Sequence, residues 1–199
     1  MKNESKLKHL FMSLMVVGCS LGMASCSDDD DDPVKEPTVE AVIGEYSGKM
    51  YVAAPVTYAS ESKAEQTGGT DISATVKNDS VYFAKFPVDD IVKAIAPSEL
   101  VEAIIGALGD VKYEIGYKAT MNTAKDSVVM TFDPKPLELK ISLSENTQEI
   151  KVDISATDKG SYSIDKKKLK FAINVDGVTI NEEPLKDFKS QFSFDMNQK

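Results

Sequence analysis

Hydrophobic and polar residues alternate with a period of two along most of the chain beyond residue 42. Such alternation is typical of strands that bury one face and expose the other. The alternating runs cover 44–52, 72–76, 80–86, 111–121, 128–132, 137–143, 150–154, 162–164, 169–175, 178–180 and 188–196. Turn residues separate most of these runs, and Asn78-Asp79 and Asp176-Gly177 are predicted hairpin turns. The prolines at 134 and 136 predict a break in strand pairing over 133–136.

One segment, about 88–108, changes to a helical period. Pro97 divides it into two runs, and Gly109 follows as a stop signal. Asp89 and Ser98 are the predicted N-caps. The apolar residues that share the two helical faces are Val88, Ile91, Val92, Ile95, and then Leu100, Val101, Ile104, Ile105, Leu108. We expect two short helices that cover the sheet, with a lid over a ligand cavity as the alternative.

Nine or ten strands with a single helical insertion predict an all-β domain. An antiparallel meander barrel is favoured, with a β-sandwich as the alternative, because one flat sheet would leave exposed edges. The first strand carries Gly44-Glu45-Tyr46 and the last strand is aromatic. This pattern resembles lipocalin or calycin-like barrels, whose first strand carries Gly-x-Trp. The resemblance implies a closed barrel.

The first 25 residues are predicted to be a secretory signal peptide. Three lysines precede a short apolar run at 10–18, and small residues lead to Cys26. That run is shorter than the roughly 20 residues that a membrane-spanning helix needs. Met23-Ala24-Ser25-Cys26 resembles a bacterial lipobox, which implies that Cys26 is lipidated and starts the mature chain. Cys19 fits the same motif more loosely.

A run of acidic residues follows Cys26. It consists of Ser27, Asp28, Asp29, Asp30, Asp31 and Asp32. It resembles the export signal of Bacteroidetes-type surface lipoproteins, which implies an outer-membrane protein exposed at the cell surface. Like charges also keep a tether extended, and consecutive aspartates do not fit a calcium loop. We therefore expect a tether over 26–41 and one β-rich domain over 42–199.

The whole layout also resembles an uncharacterised family of Bacteroidetes lipoproteins of about 200 residues, a domain of unknown function. That resemblance implies neither an activity nor any catalytic residue.

Composition excludes several kinds of chemistry. The net charge of −9 argues against nucleic-acid binding, which needs a basic face. All basic residues besides His9 are lysines, His9 lies in the leader, and Cys19 and Cys26 are the only cysteines. The mature domain therefore lacks a histidine base, a free thiol and His or Cys metal ligands. We expect no cofactor, no metal and no enzymatic activity. A carboxylate pair, Asp89 and Asp90, is the remaining catalytic candidate, although helix capping is the simpler explanation of these residues.

Three functions remain open from the sequence. A barrel can hold a small apolar ligand, and the candidate cavity residues are Tyr113, Ile115, Tyr117, Phe171 and Phe192. The simpler interpretation is that the same side chains fill a solid core, because most aromatic stripes are core. A glycan-handling accessory protein would use exposed aromatics, for which Tyr51 and Tyr58 are the candidates. An adhesin or assembly subunit would need no cavity. The expected partners are the membrane, through the lipid anchor, and a small apolar ligand or a glycan.

Overall fold

A computed structural model describes residues 36–53, 69–143, 146–185 and 188–199, in a compact unit that runs from Glu36 to Lys199. The signal peptide, Cys26, the acidic run and Tyr58 lie outside the described residues. The elements are a 3₁₀ helix (Val39–Val42), β1 (Gly44–Ala53), β2 (Thr70–Val76), β3 (Ser80–Phe83), α1 (Asp89–Ile95), α2 (Val101–Leu108), β4 (Tyr113–Met121), β5 (Ser127–Pro134), β6 (Leu137–Leu143), β7 (Asn146–Ser155), β8 (Gly160–Ser163), β9 (Lys168–Ile180), β10 (Glu183–Leu185) and β11 (Ser190–Gln198). The 3₁₀ helix belongs to this unit, although the sequence pattern assigned most of it to the tether.

Eight of these strands form a closed antiparallel barrel. Strands β1 to β5 pair in chain order, and β8, β9 and β11 complete the circle back to β1. The closing pair extends from Tyr46 opposite Gln198 to Ala53 opposite Gln191. The prediction of an all-β barrel is therefore confirmed. Closure leaves each barrel strand with a neighbour on both sides, which removes the edges that an open sheet would expose.

The remaining strands form an extension of the barrel. The first half of β9 pairs with β8 and β11, whereas its second half pairs with β7 and β10. Strand β6 pairs with β7, so the extension has the order β6-β7-β9-β10. Strand β9 thus runs through both the barrel and the extension and connects them in one continuous sheet.

The predicted hairpin turn at Asp176-Gly177 is wrong. Strand β9 continues through both residues, and Asp176 is the extra residue of a β-bulge, because Asp153 opposes Gly177 and Ile154 opposes Val175. The hairpin lies further along, at Asn181-Glu182, where φ is 49° and 69°. Two successive positive φ angles are what a tight two-residue turn requires.

The predicted break at 133–136 also begins later than expected. Pro134 is the last residue of β5 and still lies opposite Ile115 on β4. Only Lys135 and Pro136 lie between β5 and β6. A proline at the end of a strand leaves the preceding ladder intact.

The two ends of the barrel differ. The 3₁₀ end carries the 3₁₀ helix and the turns at 77–79, 122–126 and 164–167, and the helical end carries α1, α2 and the extension. Helix α2 packs against α1 and β6. Val88 and Leu100 occupy the N-cap positions, so the predicted caps at Asp89 and Ser98 are wrong, and Gly109 ends α2 with φ at 60°, as predicted.

Candidate ligand-binding cleft

The predicted cavity residues lie together inside the barrel. Their exposed fractions are 6% for Tyr113, 0% for Ile115, 6% for Tyr117, 5% for Phe171 and 1% for Phe192. The ring of Phe171 stacks between Phe132, at 4.5 Å, and Phe194, at 4.3 Å between ring centroids. Tyr113 and Phe192 both contact the ring of Phe86. These side chains form one continuous aromatic core.

A glycine on β8 makes room for this stack. A Cβ atom at Gly160 would lie 2.5 Å from the Phe132 ring and 2.7 Å from Cβ of Phe171. Both distances are far below van der Waals contact, so the close approach of the two rings depends on the absence of a side chain at position 160.

Two of the predicted cavity residues are tyrosines, and both of their hydroxyls donate hydrogen bonds to backbone carbonyls. Tyr113 donates a hydrogen bond of 2.6 Å to the carbonyl of Lys135, and Tyr117 donates one to the carbonyl of Lys77. Burial raises the pKa of both phenols, and the charge of Asp79 raises the pKa of Tyr117 further. Both hydroxyls therefore stay protonated at physiological pH and serve as donors that tie β4 to the segment after β5 and to the turn after β2.

Tyr46 of the Gly44-x-Tyr46 motif ties the 3₁₀ helix to the barrel. Its hydroxyl donates a hydrogen bond of 2.6 Å to the carbonyl of Val42, and burial raises the pKa of this phenol. The ring of Tyr46 meets that of Tyr162 edge to face. Tyr162 in turn donates to Oε1 of Gln198 at 2.5 Å.

The absence of a side chain at Gly44 leaves room for the amide nitrogen of Gln198. The Nε2 group of Gln198 donates to the carbonyls of Ala41, at 3.1 Å, and Ile43, at 2.9 Å. A Cβ atom at Gly44 would lie 2.9 Å from that nitrogen, and φ of 153° at this position also favours glycine. Hydrogen bonds from Gln198 on the last strand thus hold the 3₁₀ helix against this end of the barrel.

The helical end contains a cleft of about 500 Å³. It lies between the start of β2, the segment 84–89 and the end of α2. Its floor is apolar and buried, because Ile72, Phe86 and Val88 are exposed by only 5%, 2% and 4%. Ile105 and Gly106 of α2 form one wall, and a Cβ atom at Gly106 would meet nothing within 4 Å.

The residues around this cleft carry mostly negative charge. Asp71, Asp89 and Asp110 line it, against one lysine, Lys85. Lys85 and Asp110 form an exposed ion pair of 3.1 Å, and Lys49 forms a pair of 2.8 Å with Asp71. The cleft therefore combines an apolar floor with a charged, predominantly acidic rim.

The other sequence candidates lie elsewhere or in different roles. Asp90 pairs with Lys93 at 3.4 Å, whereas Asp89 lines the cleft. The ring of Tyr51 packs close to Gly69, where a Cβ atom would come within 2.7 Å of it, and Tyr51 is only half-buried. Lys85, Gly106 and Asp110 were not predicted as site residues. The lid alternative for the helices and the carboxylate candidate Asp89 were the sequence signals that pointed to this region.

Two negative findings concern the described part of the chain only. Within residues 36–53, 69–143, 146–185 and 188–199, no three His, Cys, Asp or Glu side chains cluster closely enough to hold a metal ion. Neither of the helices described there has the length and apolar character needed to cross a bilayer.

Comparison with known proteins identifies the family of the chain. The chain belongs to the DUF4840 family, a domain of unknown function, which matches residues 41–180. Searches for similar curated proteins and for similar solved structures found no match.

Proposed function

We propose that this protein is a lipoprotein of the outer-membrane surface, of the Bacteroidetes type, that binds a small apolar molecule in the cleft at the helical end. The observation that carries the binding proposal is the buried apolar floor of Ile72, Phe86 and Val88 beneath an open cleft of about 500 Å³. Small-molecule sites are concave, mostly apolar and typically about 300–1,000 Å³ in volume. No catalytic role is proposed.

The rim restricts the charge of the ligand. Asp71, Asp89 and Asp110 outnumber Lys85 around the cleft, and Lys85 is already paired with Asp110. An anionic ligand would meet like charge near an apolar wall, where screening is weaker than in bulk water. The chain also has no arginine to bind a carboxylate through two hydrogen bonds. The proposed ligand is therefore a neutral or cationic apolar molecule, and not a fatty acid.

The position of the first described residue is compatible with an anchor at Cys26. Glu36 pairs with Lys125, in the β4–β5 turn at the 3₁₀ end, at 2.6 Å. The ten residues from Cys26 to Glu36 can extend at most about 35 Å. In this proposal the acylated Cys26 holds the 3₁₀ end toward the membrane, and the cleft at the opposite barrel end stays accessible.

A substitution at Gly106 tests the cleft. We expect a chain of residues 27–199 to bind a neutral apolar dye such as Nile red and to bind the anion laurate more weakly. Gly106→Phe should place a ring in the cleft and weaken dye binding at least about tenfold, a loss of about 1.4 kcal/mol. Gly106→Ala is the matched control, because it adds a methyl group and favours the helix without filling the cleft.

Two outcomes would count against this binding site. Equal dye binding by the Phe and Ala variants would place the dye elsewhere on the protein. Stronger binding of laurate than of the neutral dye would contradict the charge argument. Mass spectrometry under native conditions, on protein purified from its own host, would then give the mass of any retained ligand.

Separate variants test the location on the cell. Cys26→Ala should release the protein from membranes, and persistent membrane attachment would contradict the lipid anchor. Replacement of Asp28, Asp29, Asp30, Asp31 and Asp32 by alanine should keep the anchor and abolish digestion by protease added to intact cells. If digestion is unchanged, the aspartates serve only as a spacer and not as an export signal.

A further inference from the structure

Strand β6 is the last strand of the extension. In the described part of the chain it pairs with β7 and with no other strand. Its inner face is firmly packed, because Leu137, Leu139 and Ile141 are exposed by only 3%, 3% and 1%. The intervening residues Glu138 and Lys140 are exposed. Helix α2 also packs against this strand. Strand β6 therefore buries one apolar face and presents two charges of opposite sign on the other.

Charges already alternate across the β6–β7 ladder. Glu138 lies opposite Lys151, and Lys140 lies opposite Glu149. Nζ of Lys140 is 2.9 Å from Oε1 of Glu149, and Lys151 also contacts Asp153 at 3.2 Å. Each charged residue of β6 thus lies opposite a residue of the opposite charge on β7.

We propose that two copies of this chain pair through β6, antiparallel, about a two-fold axis at Leu139. In that register Glu138 of each copy lies opposite Lys140 of the other, and the same register places Leu137 opposite Ile141. Opposed side chains of an antiparallel pair have Cβ atoms about 4.5–5.5 Å apart, close enough for these charges to attract. Charge then alternates across four neighbouring strands. Lys151 and Glu138 of the first copy come first, and Lys140 and Glu149 of the second copy follow in that order.

Neighbouring registers are unfavourable. An axis at position 138 or 140 would bring two glutamates or two lysines directly opposite one another. A slip of one residue would place the apolar face of one copy beside the charged face of the other. The two charges therefore favour self-pairing in one register and oppose pairing of this edge with unrelated strands.

Charge reversal tests the register. Sedimentation of the 27–199 chain over a concentration series should show a monomer–dimer equilibrium. Glu138→Lys should weaken dimerisation roughly tenfold, because it creates two like-charge pairs, and Lys140→Glu should do the same. The double variant Glu138→Lys with Lys140→Glu should dimerise more tightly than either single variant, because the pairs between the two copies regain opposite charges. Glu114→Lys, an equal charge change on an exposed residue of β4, is the matched control and should leave the constant unchanged.

Cross-linking provides a test that does not depend on the stability of the charge variants. Strands paired in this way have Cα atoms about 4.5–5.5 Å apart, within the range for a disulfide. When Glu138→Cys and Lys140→Cys chains are mixed in equal amounts and oxidised, the mixed dimer should exceed each homodimer by well over the factor of about two that random pairing gives. A monomer at the highest soluble concentration would overturn the proposal, as would a dimer that is insensitive to Glu138→Lys. A yield of the three cross-linked dimers in the random ratio, with the mixed dimer only about twice as abundant as each homodimer, would overturn the register.

Discussion

The stacked rings at the centre of the barrel allow a direct test of whether its interior is filled. Phe171 is 5% exposed and lies between Phe132 and Phe194, with ring centroids 4.5 and 4.3 Å away and the Phe194 ring only 10° from parallel. Phe171→Ala should lower the free energy of unfolding by about 3–5 kcal/mol. About 0.5–1.5 kcal/mol per ring pair should come from the stacking itself.

The assay is urea denaturation of the 27–199 chain, followed by far-ultraviolet circular dichroism. The dependence of the unfolding free energy on urea should be unchanged, since the surface exposed on unfolding hardly changes. Phe171→Leu is the control, because it keeps most of the volume and should cost no more than about 1.5 kcal/mol beyond the lost stacking. A loss below about 1 kcal/mol for Phe171→Ala would refute the packed interior, because a ring that lines a water-filled cavity leaves no new void when it is removed.

Three further changes act on separate features. Gly160→Ala should destabilise by about 1–3 kcal/mol in the same assay, because its methyl group would lie 2.5 Å from the Phe132 ring. Glu182→Gly should raise the unfolding free energy by about 0.5–1 kcal/mol, since φ of 69° suits glycine better. Burial alone would raise the pKa of Asp195, but hydrogen bonds from two lysines, among them Lys168 at 2.8 Å, lower it below its usual value. Asp195→Asn should therefore be less stable than wild type at pH 7, and the difference should vanish as the pH falls from about 5 through the lowered pKa.

The barrel was predictable because a period of two reports which face of each strand is buried. All five predicted cavity residues are inward-facing and buried, as the alternation required. The same pattern does not report which strand lies beside which, so β6, β7 and the end of β9 looked like further barrel strands. Asp176-Gly177 was misleading for a related reason. A glycine after an aspartate suits a turn, but pairing with β7 on both sides of it favoured a bulge.

The cleft was not predictable from local sequence. Its walls come from β2, the segment 84–89 and α2, which only the fold brings together. Its charged residues, such as Lys85 and Asp110, resemble ordinary solvated surface. The difference between a lined and a filled interior likewise depends on how closely the rings pack around Gly160, which hydrophobic periodicity does not encode.

The contacts at the 3₁₀ end suggest why the two ends of this barrel have different roles. Gly44 and Tyr46 are two residues apart, and both interact with Gln198 of the last strand. Gly44 leaves room for the Gln198 side chain, whereas Tyr46 packs against Tyr162, which donates a hydrogen bond to Gln198. Because Tyr46 is also the strand partner of Gln198, the interactions that hold the 3₁₀ helix in place also fix the register in which the barrel closes. At the helical end a second side chain reinforces the same closing pair, since the hydroxyl of Ser190 donates a hydrogen bond of 2.8 Å to the carbonyl of Ala53. The residues of α2 and of the segment 84–89 that line the cleft do not belong to this pair, so they can shape the cleft without loss of closure.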